Sequence, residues 1–349
     1  MNKKIVFFGG VGSETVFGGE PSKNKEIIAR LKELDCDVVV LDSYKSRQNK
    51  LKLLRIIFLF FCYYIFCPQR TFIFSTSFGN IYFLIKLLNR LPLKRNIVYW
   101  VIGGTFAERV SKGMYLCKYV KIISHFIVEG DKMRKVLHLL GFENVYVIPN
   151  FKTIIDLPEI RKNDDGRIHF LFISRIMPEK GCQYIMQSVD ALNKKGYKDK
   201  YVVDFYGGIE PSYKEEFECD VNRFDNVKYC GSLQLQNESN YVVLASYHYM
   251  LFPTYWLGEG FPGVVVDAYK AGVPIIASDW NFNREFVVSG ETGFVVPTHS
   301  VEKLSEIMED AILNKYDNAK LSSNCQQKVL EYDTKMVVNF ELINQITNY

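Results

Sequence analysis

The segment Glu259-Gly260-Phe261-Pro262-Gly263-Val264-Val265-Val266-Asp267 sets two carboxylates eight positions apart, with a glycine loop first and an apolar helix start after it. Pro262 suits the first turn of a helix. Eight positions is a little over two turns, so Asp267 is expected under the helix entrance on a related face. The free N–H groups at such an entrance attract an anion such as a diphosphate. Gly260 lets the backbone approach a ligand closely, and Glu259, ahead of the helix, can reach a ligand's hydroxyl groups.

A second set lies upstream in Phe172-Ile173-Ser174-Arg175-Ile176-Met177-Pro178-Glu179-Lys180-Gly181. A strand ends in Arg175, a tight loop follows, and Lys180 opens a helix. Two cations so placed can point into one cleft and neutralise a diphosphate. Expelling a nucleoside diphosphate requires this, because negative charge builds on the leaving oxygens and preorganised cations lower the barrier. Taken singly, the acids also suit an amphipathic helix and the cations a solvated turn; their occurrence in this order favours one site.

The elements that must position these residues alternate. Ile5–Gly9, Val38–Leu41, Phe72–Ser75 and Ile97–Ile102 read as strands, and Lys23–Leu34, Lys50–Phe66 and Ile81–Leu91 as helices. A polar, turn-prone stretch within 147–165 follows Pro149-Asn150, and the pattern then restarts. Strands are expected at Ile168–Ser174, Tyr201–Tyr206, Val227–Cys230, Tyr249–Phe252, Ile275–Ala277 and Phe294–Val296. Helices are expected at Gly181–Lys194, Pro211–Asn222, Leu304–Leu313, Leu321–Tyr332 and Met336–Thr347. Such alternation predicts βαβ units and parallel sheets. The expectation is two doubly wound α/β domains, 1–155 and 156–333, with a last helix over 334–349 returning to the first. In such sheets ligands bind beyond the carboxyl ends of the strands, so the site is expected in the cleft between the two domains.

The chain has 349 residues, 48% of them apolar and 23% charged, which is ordinary for a globular protein and excludes disorder, collagen-like repeats and a polytopic membrane protein. The net charge of +4 is unevenly spread. Residues 1–150 hold 23 Lys and Arg against 11 Asp and Glu, whereas 151–349 hold 20 against 28. The basic half is expected to face something anionic. The eight cysteines form no C-x-x-C pair and most lie in apolar runs, which predicts reduced, buried thiols in a cytosolic protein, and no signal peptide is visible. Leu51–Phe66 is apolar on every face but shorter than the ~20 residues of a bilayer span. It suits a crossover helix buried against the sheet, or a helix with its second face on a membrane surface, where the nearby Lys45, Arg47, Lys50, Lys52 and Arg55 favour anionic lipid.

With these motifs in place, the chain resembles the GT-B retaining glycosyltransferases of family 4, over nearly its whole length and most specifically in its second half. The family's R-x-x-x-x-K-G loop is matched by Arg175 to Gly181, and its E-x7-E signature by Glu259 to Asp267. Ala271 to Asp279, Glu285, Gly290 to Gly293, Val147 to Asn150 and Gly18-Gly19 also fall where the family has related residues. The resemblance implies that Arg175 and Lys180 hold the donor diphosphate, Glu259 contacts the donor sugar and Asp267 the nucleotide ribose. Gly260, Phe261 and Pro262 would set backbone amides along the donor, with Gly263 beside them. Gly18, Gly19, Gly103 and Gly104 would serve the acceptor side or closure. Catalysis is assigned by the resemblance to Glu259, Arg175 and Lys180. It implies no cofactor and no metal, since cations and helix dipoles replace one. It also implies same-face attack, with the leaving phosphate taking the acceptor's proton.

Asp267 replaces the family's Glu, Ile102 stands where a histidine is common, and Asn281-Phe282-Asn283 replaces a glycine-rich turn. The resulting expectation is a hexosyltransferase that uses a nucleotide-diphosphate sugar and a lipid-linked saccharide acceptor in bacterial surface polysaccharide synthesis. It is expected in the cytoplasm on the inner face of the cell membrane, at an anionic surface, without nucleic acid. A non-catalytic nucleotide-sugar-binding partner subunit, or a same-fold epimerase or hydrolase, remains open. His125, His138 and His248 read as structural or solvated, and Asp35-Cys36-Asp37 as a turn rather than a metal pair.

Overall fold

In β1 (Lys4–Gly9), alternate residues serve opposite faces of a buried sheet. Ile5 and Phe7 pack with Ile27 and Leu31 of α1 (Gly19–Glu33) and with Leu342, Ile343 and Ile346 near the C-terminus. Phe8 turns the other way, against Phe60 and Phe74. A strand buried on both faces reads as a continuous apolar run, and that is how β1 reads.

The computed structural model describes residues 3–16, 18–235 and 239–348. They form two compact units, 1–153 with 332–349 and 154–331. The first contains β1, β2 (Asp37–Asp42), β3 (Thr71–Ser75), β4 (Ile97–Trp100), β5 (His125–Val128) and β6 (Val145–Val147), paired in the order β2-β1-β3-β4-β5-β6. The second contains β7 (Ile168–Ile173), β8 (Tyr201–Tyr206), β9 (Val227–Tyr229), β10 (Tyr249–Phe252), β11 (Ile275–Ser278) and β12 (Gly293–Val296), in the order β12-β11-β10-β7-β8-β9. All neighbours run parallel. The fold is the expected doubly wound α/β pair of sheets.

Numbered from its own first strand, the second sheet runs 3-2-1-4-5-6. The chain reverses direction between β7 and β10, which opens a crevice beyond their carboxyl ends. In the first sheet the reversal falls between β1 and β3.

The helix α2 (Lys50–Phe66) has the boundaries expected from sequence, opened by Asn49, whose side chain accepts the Lys52 N–H. It is not buried on every side, as a crossover helix between sheet and neighbours would be. Ile56, Phe60 and Tyr64 pack on the sheet, but Leu51, Leu54, Phe58 and Phe66 are 80, 64, 69 and 77% exposed. The adjoining α3 (Phe78–Leu88) starts three residues earlier than expected and exposes Phe83. Among the described residues, no helix is long and apolar enough to cross a membrane.

Two other expectations change. The tail is not one helix: it breaks between Thr334–Val337 and Phe340–Thr347 because the Asn339 side chain accepts the Leu342 N–H and starts a new helix. All eight cysteines are free, but only Cys36, Cys182 and Cys325 are buried, while Cys219 and Cys230 are exposed.

Candidate active site

Both motifs leave the strands that flank the reversal in the second sheet. After β7 the chain is pinned to the end of β8 by the Ser174 N–H to the Tyr206 carbonyl (3.1 Å) and to the loop after it by the Ile176 N–H to the Gly208 carbonyl (2.9 Å). Arg175, between these anchors, is exposed and forms no ion pair among the described residues. A single tight turn, Pro178–Lys180, then delivers Lys180 into the interior. Gly181 closes the turn at φ 81°, and a Cβ there would lie 2.2 Å from the Pro253 carbonyl oxygen, so the β7 and β10 loops touch through a residue that must lack a side chain.

From β10 the chain enters Pro253-Thr254, turns at Trp256, and brings Glu259 back beneath it through the Glu259 N–H to the Trp256 carbonyl (3.0 Å). Lys180 Nζ donates to Glu259 Oε2 at 2.5 Å, and Thr254 Oγ1 donates to the same oxygen at 2.8 Å. Lys180, Thr254 and Glu259 are all buried. The ammonium also lies under the Trp256 ring, 4.7 Å from its centroid, where a cation is attracted to the π-face. Glu259 Oε1 takes no hydrogen bond among the described residues. The carboxylate is therefore held by one oxygen and presents the other.

The turn that carries Glu259 is braced from the β11 side. Asn281, in a left-handed conformation at φ 46°, donates its amide to the Glu259 carbonyl (2.9 Å), and Trp280 Nε1 donates to the Trp256 carbonyl (2.8 Å). Asn281 is one of the residues replacing the expected glycine-rich turn. Phe261 packs on Phe286 at 4.6 Å between centroids. The helix runs Gly263–Lys270, with Pro262 as its cap rather than in its first turn, accepting the Val265 N–H through its carbonyl. Pro262 has no amide hydrogen and offers none to a donor, which corrects the expectation of backbone amides from all three of Gly260, Phe261 and Pro262.

The two acids of the signature are not partners. Glu259 lies ahead of the helix, so helical spacing does not relate the pair. Asp267 is buried inside it and accepts a hydrogen bond from the Tyr241 hydroxyl of the helix Ser239–Ala245. Lys180, expected to open a helix, ends the turn Pro178–Lys180 one residue ahead of Gly181 and pairs with Glu259. The sequence reading missed Tyr241, Thr254 and Trp256. No motif marks them; the only signal was the place of Thr254 and Trp256 between β10 and Glu259.

Cys182, just past Lys180, is no candidate nucleophile, because burial pushes its thiol up to about 12. His248 accepts the His169 N–H at 3.1 Å, and burial, with Lys162 nearby, holds its imidazole down to about 4. His125 is the first residue of β5 rather than preceding it, and burial lowers it as well.

The glycines expected on the acceptor side lie in the first unit. Gly18 caps α1 at φ 141° and Gly19 is its first residue; Gly103 (φ 87°) and Gly104 follow β4. Both pairs fall at the carboxyl edge of the first sheet. Ile102 is half-buried beside them.

The family model described as Glycosyl transferases group 1 matches residues 154–328. An uncharacterized 41.2 kDa protein in the cps region of Klebsiella pneumoniae is 27% identical over 305 residues, 73% of this chain and 81% of that protein. The capsular polysaccharide biosynthesis glycosyltransferase CapM of Staphylococcus aureus is 26% identical over 181 residues, 49% of this chain and 43% of its own length. The solved structure of Anabaena Alr3699/HepE in complex with UDP and glucose matches over 100% of both chains, with a TM-score of 0.69 at 15% identity, a likeness that shows the GT-B fold. The matched span is half the chain and covers almost all of the unit whose crossed-over strands build this crevice, and by that match the chain belongs to the glycosyl transferases group 1 family.

Proposed function

We propose that this protein is a metal-independent, retaining hexosyltransferase of the family-4 kind, moving a sugar from a nucleotide-diphosphate sugar to a saccharide acceptor in bacterial surface polysaccharide synthesis. The observation that carries the reading is the Lys180–Thr254–Glu259 cluster at the β7/β10 reversal. It is a buried carboxylate with one oxygen still open, next to a buried cation and the exposed Arg175. Glu259 Oε1 suits a donor-sugar hydroxyl. Arg175 and Lys180 suit the diphosphate, with Gly260, Phe261 and Gly263 alongside.

In the transfer, the bond from the anomeric carbon to the diphosphate oxygen breaks and a bond from that carbon to the acceptor oxygen forms. The acceptor's proton passes to the leaving phosphate. Positive charge on the sugar and negative charge on the diphosphate both rise in the transition state. Glu259 opposes the first and Arg175 with Lys180 the second, which is stabilisation at the atoms where charge develops. No cofactor is needed for this sequence of events. Asp267 suits the ribose, where Tyr241 fixes its rotamer.

The acceptor is proposed to be lipid-linked and the protein to act at the anionic inner face of the cell membrane. The uncovered Leu51, Leu54, Phe58 and Phe66 of α2, with Lys50 and Arg55 exposed among them, support this. The name of a relative, an Escherichia coli galactosyltransferase, includes a diphosphoundecaprenol substrate, which supports a lipid-linked acceptor here.

Thermal unfolding in the presence of UDP, GDP, ADP, CMP or dTDP tests the reading. A ligand at 100 times its Kd adds about 2.7 kcal/mol. One nucleoside diphosphate should raise Tm in the wild type and not in Arg175→Ala. No shift with any of the five would count against the transferase assignment.

A further inference from the structure

A cavity of about 490 Å³ lies in the first unit, within the ~300–1,000 Å³ range of small-molecule sites. Its shape follows from the sheet order. The chain reverses between β1 and β3, and α2 and α3 leave a gap between them rather than closing over the edge. Leu53, Ile57 and Phe61 form one wall, at i, i+4 and i+8 on α2. Leu84 and Leu87 of α3 form the other, and Phe8 lies at the floor. This stripe of α2 differs from the one on the sheet (Ile56, Phe60, Tyr64) and from the one in solvent (Leu51, Leu54, Phe58).

The ends of the cavity differ in chemistry. Lys45 and Arg47 line it from the loop after β2; both are exposed and neither forms an ion pair among the described residues. Lys52 nearby is already paired with Asp42 at 3.0 Å. At the carboxyl edge of the sheet stand Glu20, held by the Gly10 N–H at 2.9 Å, and Thr76. An apolar trough with two cations on its rim, neither of them in an ion pair although Lys45 lies over the Tyr44 ring, is complementary to an apolar chain ending in a phosphate. Glu20 keeps the phosphate to the Lys45–Arg47 rim and leaves its own end for hydroxyl groups.

We propose that the cavity between α2 and α3 holds the phosphate-proximal stretch of the acceptor's lipid chain, with the phosphate against Lys45 and Arg47. The acceptor is thus read as a single-chain lipid phosphate that enters the protein, rather than one merely brought near it by a membrane surface. The assignment of that lipid as acceptor rests on the transferase reading; the binding site itself does not.

The test is calorimetric binding of farnesyl phosphate to the whole chain without detergent, below the concentration at which the ligand forms micelles. Farnesol and inorganic phosphate are the separate arms. Farnesyl phosphate should bind one per chain, at least tenfold tighter than either. Ile57→Trp and Leu84→Trp, filling the cavity from opposite walls, should each weaken it at least tenfold. Arg47→Ala with Lys45→Ala, changes at the surface, should remove the preference over farnesol. Phe58→Ser, on the outward stripe, should leave this binding unchanged while lowering co-sedimentation with anionic liposomes. Equal binding of farnesol and farnesyl phosphate, wild-type binding in the filled variants, or loss in Phe58→Ser would overturn the proposal. A nucleoside-diphosphate Tm shift on the same samples reports the other reading independently: prenyl binding without that shift sinks the transferase, and the shift without prenyl binding sinks the cavity site.

Discussion

Lys180 and Glu259 share a 2.5 Å contact inside the second unit, and the carboxylate oxygen that takes the ammonium also takes the Thr254 hydroxyl. Removing one member of such a pair leaves a buried charge alone, which costs about 3–5 kcal/mol, whereas replacing both by apolar residues is often neutral. Lys180→Met should therefore unfold at distinctly lower urea than the wild type, and Lys180→Met with Glu259→Leu should recover most of the loss. Neither should transfer sugar. A double variant less stable than Lys180→Met alone and Glu259→Leu alone would show that the two charges are not coupled.

Thr254 touches no ligand in the proposed reaction; it positions Glu259. Thr254→Val keeps the shape and deletes the hydroxyl proton, at a cost of about 1–2 kcal/mol in stability. We expect kcat to fall about tenfold with the donor KM nearly unchanged, and Thr254→Ser to restore it. A purely structural role would not give rescue by serine with that split.

Gly181→Ala places a Cβ against the Pro253 carbonyl in a left-handed turn. The β7 and β10 loops must then separate, so stability should drop by more than about 2 kcal/mol and nucleotide affinity with it. Gly196→Ala is the control. It has a similar φ of 89° with nothing within 4 Å, so it should cost only the ~1 kcal/mol of the backbone itself and leave nucleotide binding intact.

Lys162 gives the protein a pH dependence of its own. Its ammonium donates to the Tyr247 and Gly272 carbonyls at 2.7 and 2.9 Å, yet burial lowers it from 10.5 to about 7. Between those values the unfolded chain holds a proton that the folded chain has shed, so this group makes stability rise with pH across about 7 to 10.5. Below about 7 its penalty is complete and flat. Urea unfolding of wild type and Lys162→Met over this range should show a slope in the first that is absent from the second.

The alternation of strands and helices was legible because parallel strands buried on both faces cannot help being apolar runs, and the apolar run to Phe66 gave α2 its bounds. Its burial was not legible. An all-apolar helix looks the same whether its outer stripe meets protein or solvent, and only the position of α3 decides between them. In the site, Arg175, Lys180, Glu259 and Asp267 could be picked out by type and spacing. Their pairing could not: Lys180 meets Glu259 only through a sheet order in which β10 pairs with β7 rather than with β9, and no motif marks Thr254 or Tyr241 beside the two acids. The tail was misread for a local reason: one asparagine at 339 competes for a backbone N–H and starts a second helix.

That strand order also sets when the protein can begin to work. A nascent chain that ends before residue 249 already carries Arg175 and Lys180, together with β7, β8 and β9, but the neighbour that closes the other side of β7 has not yet been made. Until it docks, Lys180 has neither its counter-charge nor the Trp256 ring, and the crevice lacks Glu259. Donor recognition is thus one of the last properties to arise during synthesis. A ribosome-stalled series should gain nucleotide affinity only once the chain through Asp267 and its helix, Gly263–Lys270, has emerged.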